Sequence, residues 1–445
     1  MALRDGVTVL AAVAALAGGG VAASAPGADR VVAVDYPALY ADAAEAVRQA
    51  VADTRFRDVL DLTPPSGAGP APLHRTPNLD VAVIALDDAA RPVAALDVLL
   101  SGDHPEGVVV PVDPATLSNG RVRYRWWDDA EWDADGRGDR DVLPGREGTP
   151  FDFTSPYPAS VLKLMVAFGV LRLVDAGVVA FDTRYRYLPA EESSMCGGER
   201  TATVRRYLDE MITMSRNQST CALLKLLHDR DAVDGLNRTF AGLGLTTLMI
   251  TGTDPGTGGH WMGSNMGALD TAKLLVLVAG GPDVLWTTEA GVPVTADVLS
   301  PASREFLRGR LAEQGHNEML STTNWCGLLA PGIPQRTPPR WVNPLTGRVT
   351  VGDARYDRDV RPCDAAAEVT FAHKTGWTDT TGADAGIVRS LPGKPRRHYV
   401  VAVFGNLGTD YVDPDRPADR PDVFPVLYTR KYAELGRAVD TIMTR

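Results

Sequence analysis

Thr154-Ser155-Pro156-Tyr157-Pro158-Ala159-Ser160-Val161-Leu162-Lys163 runs without a break into the apolar stretch Leu164 to Val174. A serine three residues before a lysine shares a helical face with it, so hydroxyl and amine come within hydrogen-bond reach. Ser160 therefore has a candidate base, Lys163, in its own turn. Pro158 is preorganised for a first helical turn, whose free amides can stabilise the oxyanion formed when Ser160 attacks a carbonyl. The helix expected from Ser160 to Ala176 is apolar on nearly every side, which makes it the buried centre of a helical region stopped by Gly177.

Ser-x-x-Lys alone is weak, because four-residue patterns recur by chance and a serine at a helix start is usually only a cap. Two further stretches change that reading. Ser215-Arg216-Asn217 falls on a short connection between the expected helices Val204 to Met214 and Ser219 to His228. Lys374-Thr375-Gly376 ends the strand-like run Val369 to His373, at a sheet edge. The three motifs occur in the order Ser-x-x-Lys, Ser-x-Asn, Lys-Thr-Gly. With these residues the chain resembles the serine β-lactamase and penicillin-binding-protein superfamily, closest to class A β-lactamases, over about residues 150 to 280 and 365 to 443. The fold this implies is α/β of the α+β kind, β-lactamase/transpeptidase-like: an all-helical region packed on an antiparallel sheet that is flanked by the N- and C-terminal helices.

The resemblance implies roles. Ser160 is the acylated nucleophile and Lys163 its proton acceptor, its pKa lowered by desolvation and by the Lys374 charge. Ser215 relays a proton to the leaving nitrogen, Asn217 holds the substrate's side-chain amide, and Lys374 with Thr375 binds its carboxylate. The amides of Ser160 and Trp377 form an oxyanion hole, whose donors are typically worth ~3 to 4 kcal/mol each, and Gly376 lets the substrate approach the strand closely. The substrate is then a β-lactam or related amide, with a D-alanyl-D-alanine peptidase, an esterase or a non-turnover β-lactam-binding module as alternatives. Three departures accompany the likeness. Arg216 takes the place of an acidic residue. Ala383-Asp384-Ala385 occupies the stretch where many class A enzymes carry an arginine. The region from Gly244 to Ala268 contains no glutamate. Asp254-Pro255 aligns where class A enzymes place their water-activating glutamate, so Asp254 is a candidate base with a side chain one methylene shorter, and deacylation is expected to be slow. Equally, Thr253-Asp254-Pro255-Gly256 is strong turn chemistry by itself.

Elsewhere, Ala38 to Val51 has helical periodicity, Leu79 to Leu86 and Pro92 to Leu100 read as a hairpin, and Val108 to Val112 and Arg121 to Trp127 add strands whose pairing order is not readable. Helices are expected at Asp270 to Ala279 and Ser303 to Gln314. The last third reads as an antiparallel meander, Val369 to His373, Ala385 to Leu391 and His398 to Asn406, followed by a helix from Val426 to Met443. Residues 101 to 150 and 327 to 365 read as insertions in one domain spanning 30 to 445, the second with a hairpin at Arg348 to Val360. Asp133, Asp135 and Asp139 invite a calcium reading, but Arg137 interrupts the ligand spacing and no terminal glutamate follows, which favours a solvated acidic loop. Trp126, Trp127 and Trp132 are expected to pack that segment onto the body.

A formal charge of -11, with Lys and Arg scattered, excludes a nucleic-acid partner. Arg4, the apolar segment Val7 to Leu16 and the small residues ending at Ala25 read as a secretory signal over residues 1 to 25; an uncleaved anchor is the alternative, although the apolar core is shorter than the ~20 residues of a span. A secreted or extracytoplasmic monomer with no stable membrane span is expected. No Cys-x-x-Cys or His-x-x-x-His spacing suggests zinc, so neither metal nor cofactor is expected. Of the four cysteines, Cys326 and Cys363 are expected to pair because they flank one insertion, whereas Cys196-Cys221 competes with a buried free thiol at Cys221.

Overall fold

The computed structural model describes residues 40, 42–63, 72–128 and 136–444. The expected signal segment lies outside these residues, as do Trp132, Asp133 and Asp135 of the acidic loop. The central sheet contains β1 (Leu79–Leu86), β2 (Pro92–Leu100), β3 (Val108–Val109), β4 (Val369–Trp377), β5 (Gly382–Ser390) and β6 (His398–Gly405), in the order β4-β5-β6-β1-β2-β3. Every pairing is antiparallel. The late meander thus closes onto the early hairpin, Ala82 opposite Ala402. Both faces of β1 are covered: Ala82 and Ile84 enter one core, Val81 and Val83 the other. This is why Leu79 to Leu86 is apolar with little alternation.

Helices α1 (Ala43–Thr54) and α8 (Tyr428–Ile442) cover one face. On the other lie α2 (Lys163–Asp175), α3 (Val204–Thr213), α4 (Asn217–His228), α5 (Val233–Gly242), α6 (Ala268–Ala279) and α7 (Pro301–Ala312). Every residue of α2 from Lys163 to Leu171 is buried, as its all-round apolar sequence requires. The start of this helix differs from expectation. Ala159–Leu162 is a 3-10 turn, entered through Ala159 at φ 47°, and the α-helix begins only at Lys163. The tighter turn lies against β4, where a Cβ on Gly376 would sit 2.6 Å from the Ser160 amide nitrogen.

Residues 122–127 do form a strand, but in a separate three-stranded sheet between 137–141 and 151–154, pairing in parallel with the latter. That order is illegible in sequence because a parallel pair is joined by a long crossover rather than a turn. Trp126 stacks under the Arg140 guanidinium, 4.3 Å from the ring centre. The segment after α7 carries the hairpin 349–351/354–356, inside the expected range. It builds a small core of Val349, Val351, Tyr356 and Val360 against Met214. Both disulfides are present, Cys196–Cys221 and Cys326–Cys363, with Cα separations of 5.6 and 5.9 Å, so Cys221 is not a free thiol. Among the described residues no helix is long and apolar enough to cross a membrane.

Candidate active site

The turn before α2, the α3–α4 connection and the free edge of β4 converge on one cluster. Lys163 Nζ, fully buried, lies 2.7 Å from Ser160 Oγ, 2.8 Å from the Ser215 carbonyl, 2.9 Å from Ser215 Oγ and 2.8 Å from Asn217 Oδ1. Desolvation first, then the charge of Lys374, pushes its pKa well below the ordinary lysine range. A neutral amine has two N–H donors and one lone pair. The Ser215 carbonyl and Asn217 Oδ1 can only accept, so they take the two donors, and the lone pair is left for the Ser160 hydroxyl. Lys374 Nζ donates to Ser215 Oγ at 3.0 Å and to the Thr375 carbonyl at 2.6 Å. Ser160, Lys163, Ser215 and Lys374 are thus joined by a continuous run of close polar contacts. Ser215 is held at φ 57°, a left-handed conformation that costs a non-glycine residue energy and is found where a side chain must be aimed.

Edge geometry supplies the remaining parts. Thr378 N–H donates to the Thr381 carbonyl at 2.9 Å, closing the β4–β5 hairpin. In an antiparallel ladder alternate residues bond to the same neighbour, so Gly376 and Lys374 bond to β5 while Thr375 and Trp377 direct their amides outward. At the other end of β4 the outward positions are taken up by the chain, Val369 N–H donating to the Pro334 carbonyl and Arg336 N–H to the Val369 carbonyl. At Thr375 to Trp377 the edge faces Ser160 instead, with Gly376 at its closest approach. Thr375 Oγ1 is buried at this edge.

Asp254 is not in this cluster. Its Oδ1 accepts from Gly256 N–H at 2.6 Å and Thr257 N–H at 3.0 Å, the turn chemistry that Asp-Pro-Gly dictates. Neighbouring Thr253 Oγ1 is 2.8 Å from Nε2 of His228, the last residue of α4. Asn217 opens that same helix, ~16 Å away at 1.5 Å per residue. The charge of Asp254 acts on His228 and Tyr187. From there the loop returns along α4 and brings Trp261 over the cluster, its ring centre 5.6 Å from Lys163 Nζ and its Nε1 donating to the Gly258 carbonyl at 2.7 Å. Trp261 helps to desolvate the lysine; nothing in its sequence context marks it.

Two departures from the expected pattern are absorbed locally. Arg216 turns outward to Glu210, 3.8 Å away. Glu210 also accepts from Arg200, Arg206 and Ser219 Oγ and so ties the α3–α4 connection. Asp384, on the strand where an arginine is usual, is buried against His373 Nδ1 at 2.8 Å and accepts from Leu320 N–H. The sequence reading also missed His316, which lies beside Trp377 with ring centres 5.3 Å apart.

A model of the Beta-lactamase enzyme family matches residues 154–418, a span that contains all three motifs. The chain belongs to the Beta-lactamase enzyme family. Solved structures similar to it include penicillin-binding protein PBP-A, 17% identical over 89% of this chain and 93% of that one, with a TM-score of 0.43. A β-lactamase from Chitinophaga pinensis is 16% identical over 89% and 97%, TM-score 0.43, and the TLA-3 extended-spectrum β-lactamase 14% identical over 90% and 100%, TM-score 0.47. A search of the curated proteins finds no match. Membership of the Beta-lactamase enzyme family agrees with the serine hydrolase superfamily expected from the motifs, and the helical region on an antiparallel sheet is the fold expected with it.

Proposed function

We propose that this protein is an exported serine hydrolase that opens a β-lactam or related amide through a Ser160 acyl-enzyme, and that the acyl-enzyme deacylates slowly. The observation that carries the reading is Lys163 Nζ, buried, depressed in pKa and 2.7 Å from Ser160 Oγ. In the first step Ser160 Oγ bonds to the carbonyl carbon while its proton passes to Lys163. The oxyanion is held by the amides of Ser160 and Trp377. The C–N bond then breaks as Lys163 returns the proton through Ser215 to the leaving nitrogen. Asn217 and the pair Lys374 and Thr375 position the acyl side chain and the carboxylate. Slow deacylation is supported by the state of Asp254, whose Oδ1 is engaged by the Gly256 and Thr257 amides of its own turn, an arrangement poor for aligning a water at Ser160. Export is supported by the signal-like N-terminal sequence and by two disulfides, which persist in oxidising compartments.

Intact-mass spectrometry after exposure to penicillin tests the reading. One acyl adduct per chain is expected, lost in Ser160→Ala, and Asp254→Asn should leave the adduct lifetime unchanged. An adduct that survives Ser160→Ala rejects the nucleophile; a lifetime lengthened tenfold by Asp254→Asn restores that residue to the mechanism.

A further inference from the structure

The segment between α7 and β4 does more than lengthen the chain. Its small core packs on Met214, the residue before Ser215, and Gly315 N–H donates to the Thr213 carbonyl at 2.8 Å. It is therefore fastened to the connection that aims Ser215. Between this segment, Trp377 and the start of α8 lies an open cleft of about 530 Å³, lined among others by His316, Glu318, Trp325, Leu328, Tyr356 and Trp377. Its walls are aromatic. Trp325 meets Tyr356 edge-on with centres 5.1 Å apart, and His316 meets Trp377 in the same way at 5.3 Å. Tyr356 Oη donates to Glu318 at 2.8 Å and lies 3.0 Å from His316 Nδ1, so the polar groups at the back are engaged with one another. At the mouth, Leu328 is 53% exposed, and Trp325 and Trp377 are half-buried. The cleft thus presents apolar surface to solvent beside a reactive serine.

Its position relative to Ser160 decides what part of a substrate enters it. His316 Nε2 is 3.4 Å from the Met214 carbonyl, and the Lys374 charge acts on both His316 and Glu318. The cleft therefore continues from the Ser215 and Lys374 side of the cluster. On the proposed reaction, that side handles the departing half of the substrate, because Ser215 protonates the leaving atom and Lys374 with Thr375 holds the carboxylate.

We infer that the cleft built by Trp325, Leu328, Tyr356 and Trp377 is a leaving-group subsite, which selects acyl donors whose departing half carries an aromatic or bulky apolar substituent beside its carboxylate. This rests on the Ser160 acyl-enzyme reading. For a linear donor it predicts specificity in acylation alone, because the departing half is gone before water attacks, whereas in a ring-opened β-lactam that half stays tethered.

Two esters that share a phenylacetylglycyl acyl group and release either glycolate or 3-phenyllactate isolate the effect. In each, Ser160 Oγ replaces the ester oxygen on the carbonyl carbon, the C–O bond breaks, and the hydroxy acid leaves with the proton returned from Lys163, so both give the same acyl-enzyme. Acylation measured by stopped-flow and intact mass should be at least tenfold faster, as k2/K, for the phenyllactate ester. Leu328→Ala, at an exposed position, and Trp325→Ala should each bring the ratio toward one, with circular dichroism checking that both variants fold. Equal rates in the parent protein, or a ratio unmoved by both substitutions, overturns the subsite. Penicillin in the same preparation keeps the two readings apart: if it acylates Ser160 while the esters react equally, the subsite alone is wrong, and if nothing acylates Ser160, the parent reading falls and the subsite with it.

Discussion

Two buried lysines share Ser215, and the proposed reaction needs them in opposite protonation states: Lys163 neutral to take the Ser160 proton, Lys374 charged to hold Ser215 and attract a carboxylate. Burial lowers both. Lys374 is brought to about 7, with the charges of Asp384 and Glu318 opposing the fall, while Lys163, which has Lys374 as its charged neighbour, is driven well below the ordinary lysine range. The consequence is a bell-shaped pH profile for k2/K of acylation, which reports the free enzyme. The rate should rise as Lys163 loses its proton and fall near pH 7 as Lys374 loses its own. Lys374→Arg should remove the falling limb, since a guanidinium stays charged, at the cost of a lower plateau from its poorer fit. Stopped-flow acylation as a function of pH checks the falling limb near 7. A falling limb that persists in Lys374→Arg would assign it to another group.

At the scale of elements, the site is a seam between a tight turn and the edge of β4. The turn places Ser160 N–H toward the strand, and the strand meets it at a residue without a side chain. A Cβ on Gly376 would lie 2.6 Å from Ser160 N and 2.9 Å from Val161 N. Both are backbone atoms that cannot swing aside, so turn and strand must part, and with them the amides proposed to hold the oxyanion. Gly376→Ala should slow penicillin acylation by about a hundredfold or more, the cost of losing one well-placed oxyanion donor. Its melting temperature should fall by only a few degrees, because the seam is one contact among many. Labelling within threefold of the parent rate would show that the two elements part without penalty.

Across the whole molecule, the helical region meets the sheet through an unusual joint. Asp80 and Asp97 are buried on neighbouring strands, with Asp270 of α6 close by. Asp80 accepts from Ala268 N–H at 2.9 Å, and Asn119 Nδ2 donates to Asp97 at 2.6 Å. The two strand aspartates also share a side-chain hydrogen bond, which needs a proton on one of them. Burial raises Asp97 from 3.8 to about 7 and Asp80 in the same direction. A raised carboxyl retains its proton in the fold after the unfolded chain has lost it. Its contribution to stability is therefore complete below about pH 4 and is lost progressively as pH rises toward 7. Asp97→Asn removes the ionisation while still accepting from Asn119 and offering a donor to Asp80. It should raise the melting temperature at pH 8 by several degrees and change it little at pH 4. Equal shifts at both pH values would mean that the joint carries charge in the fold.

The sequence by itself determined the three motifs and most elements, because each depends on chain neighbours: the all-round apolar helix after Lys163, the apolar strands, the turn residues, and the one-turn spacing of Ser160 and Lys163; the fold class followed from the resemblance that the motifs carry. Both readings of Asp254 were also present in four residues, and local chemistry could not choose between them. The tertiary structure adds that Asp254 Oδ1 accepts from the Gly256 and Thr257 amides of its own turn, a contact that depends on how the loop is laid along α4. The parallel pairing of residues 122–127 with 151–154, the buried aspartates of β1 and β2, Trp261 over Lys163 and the cleft beside Trp377 share that origin. Each is a meeting of residues far apart in sequence, fixed by how the apolar faces of the layers stack, and no local period or motif encodes which side chains that stacking brings together.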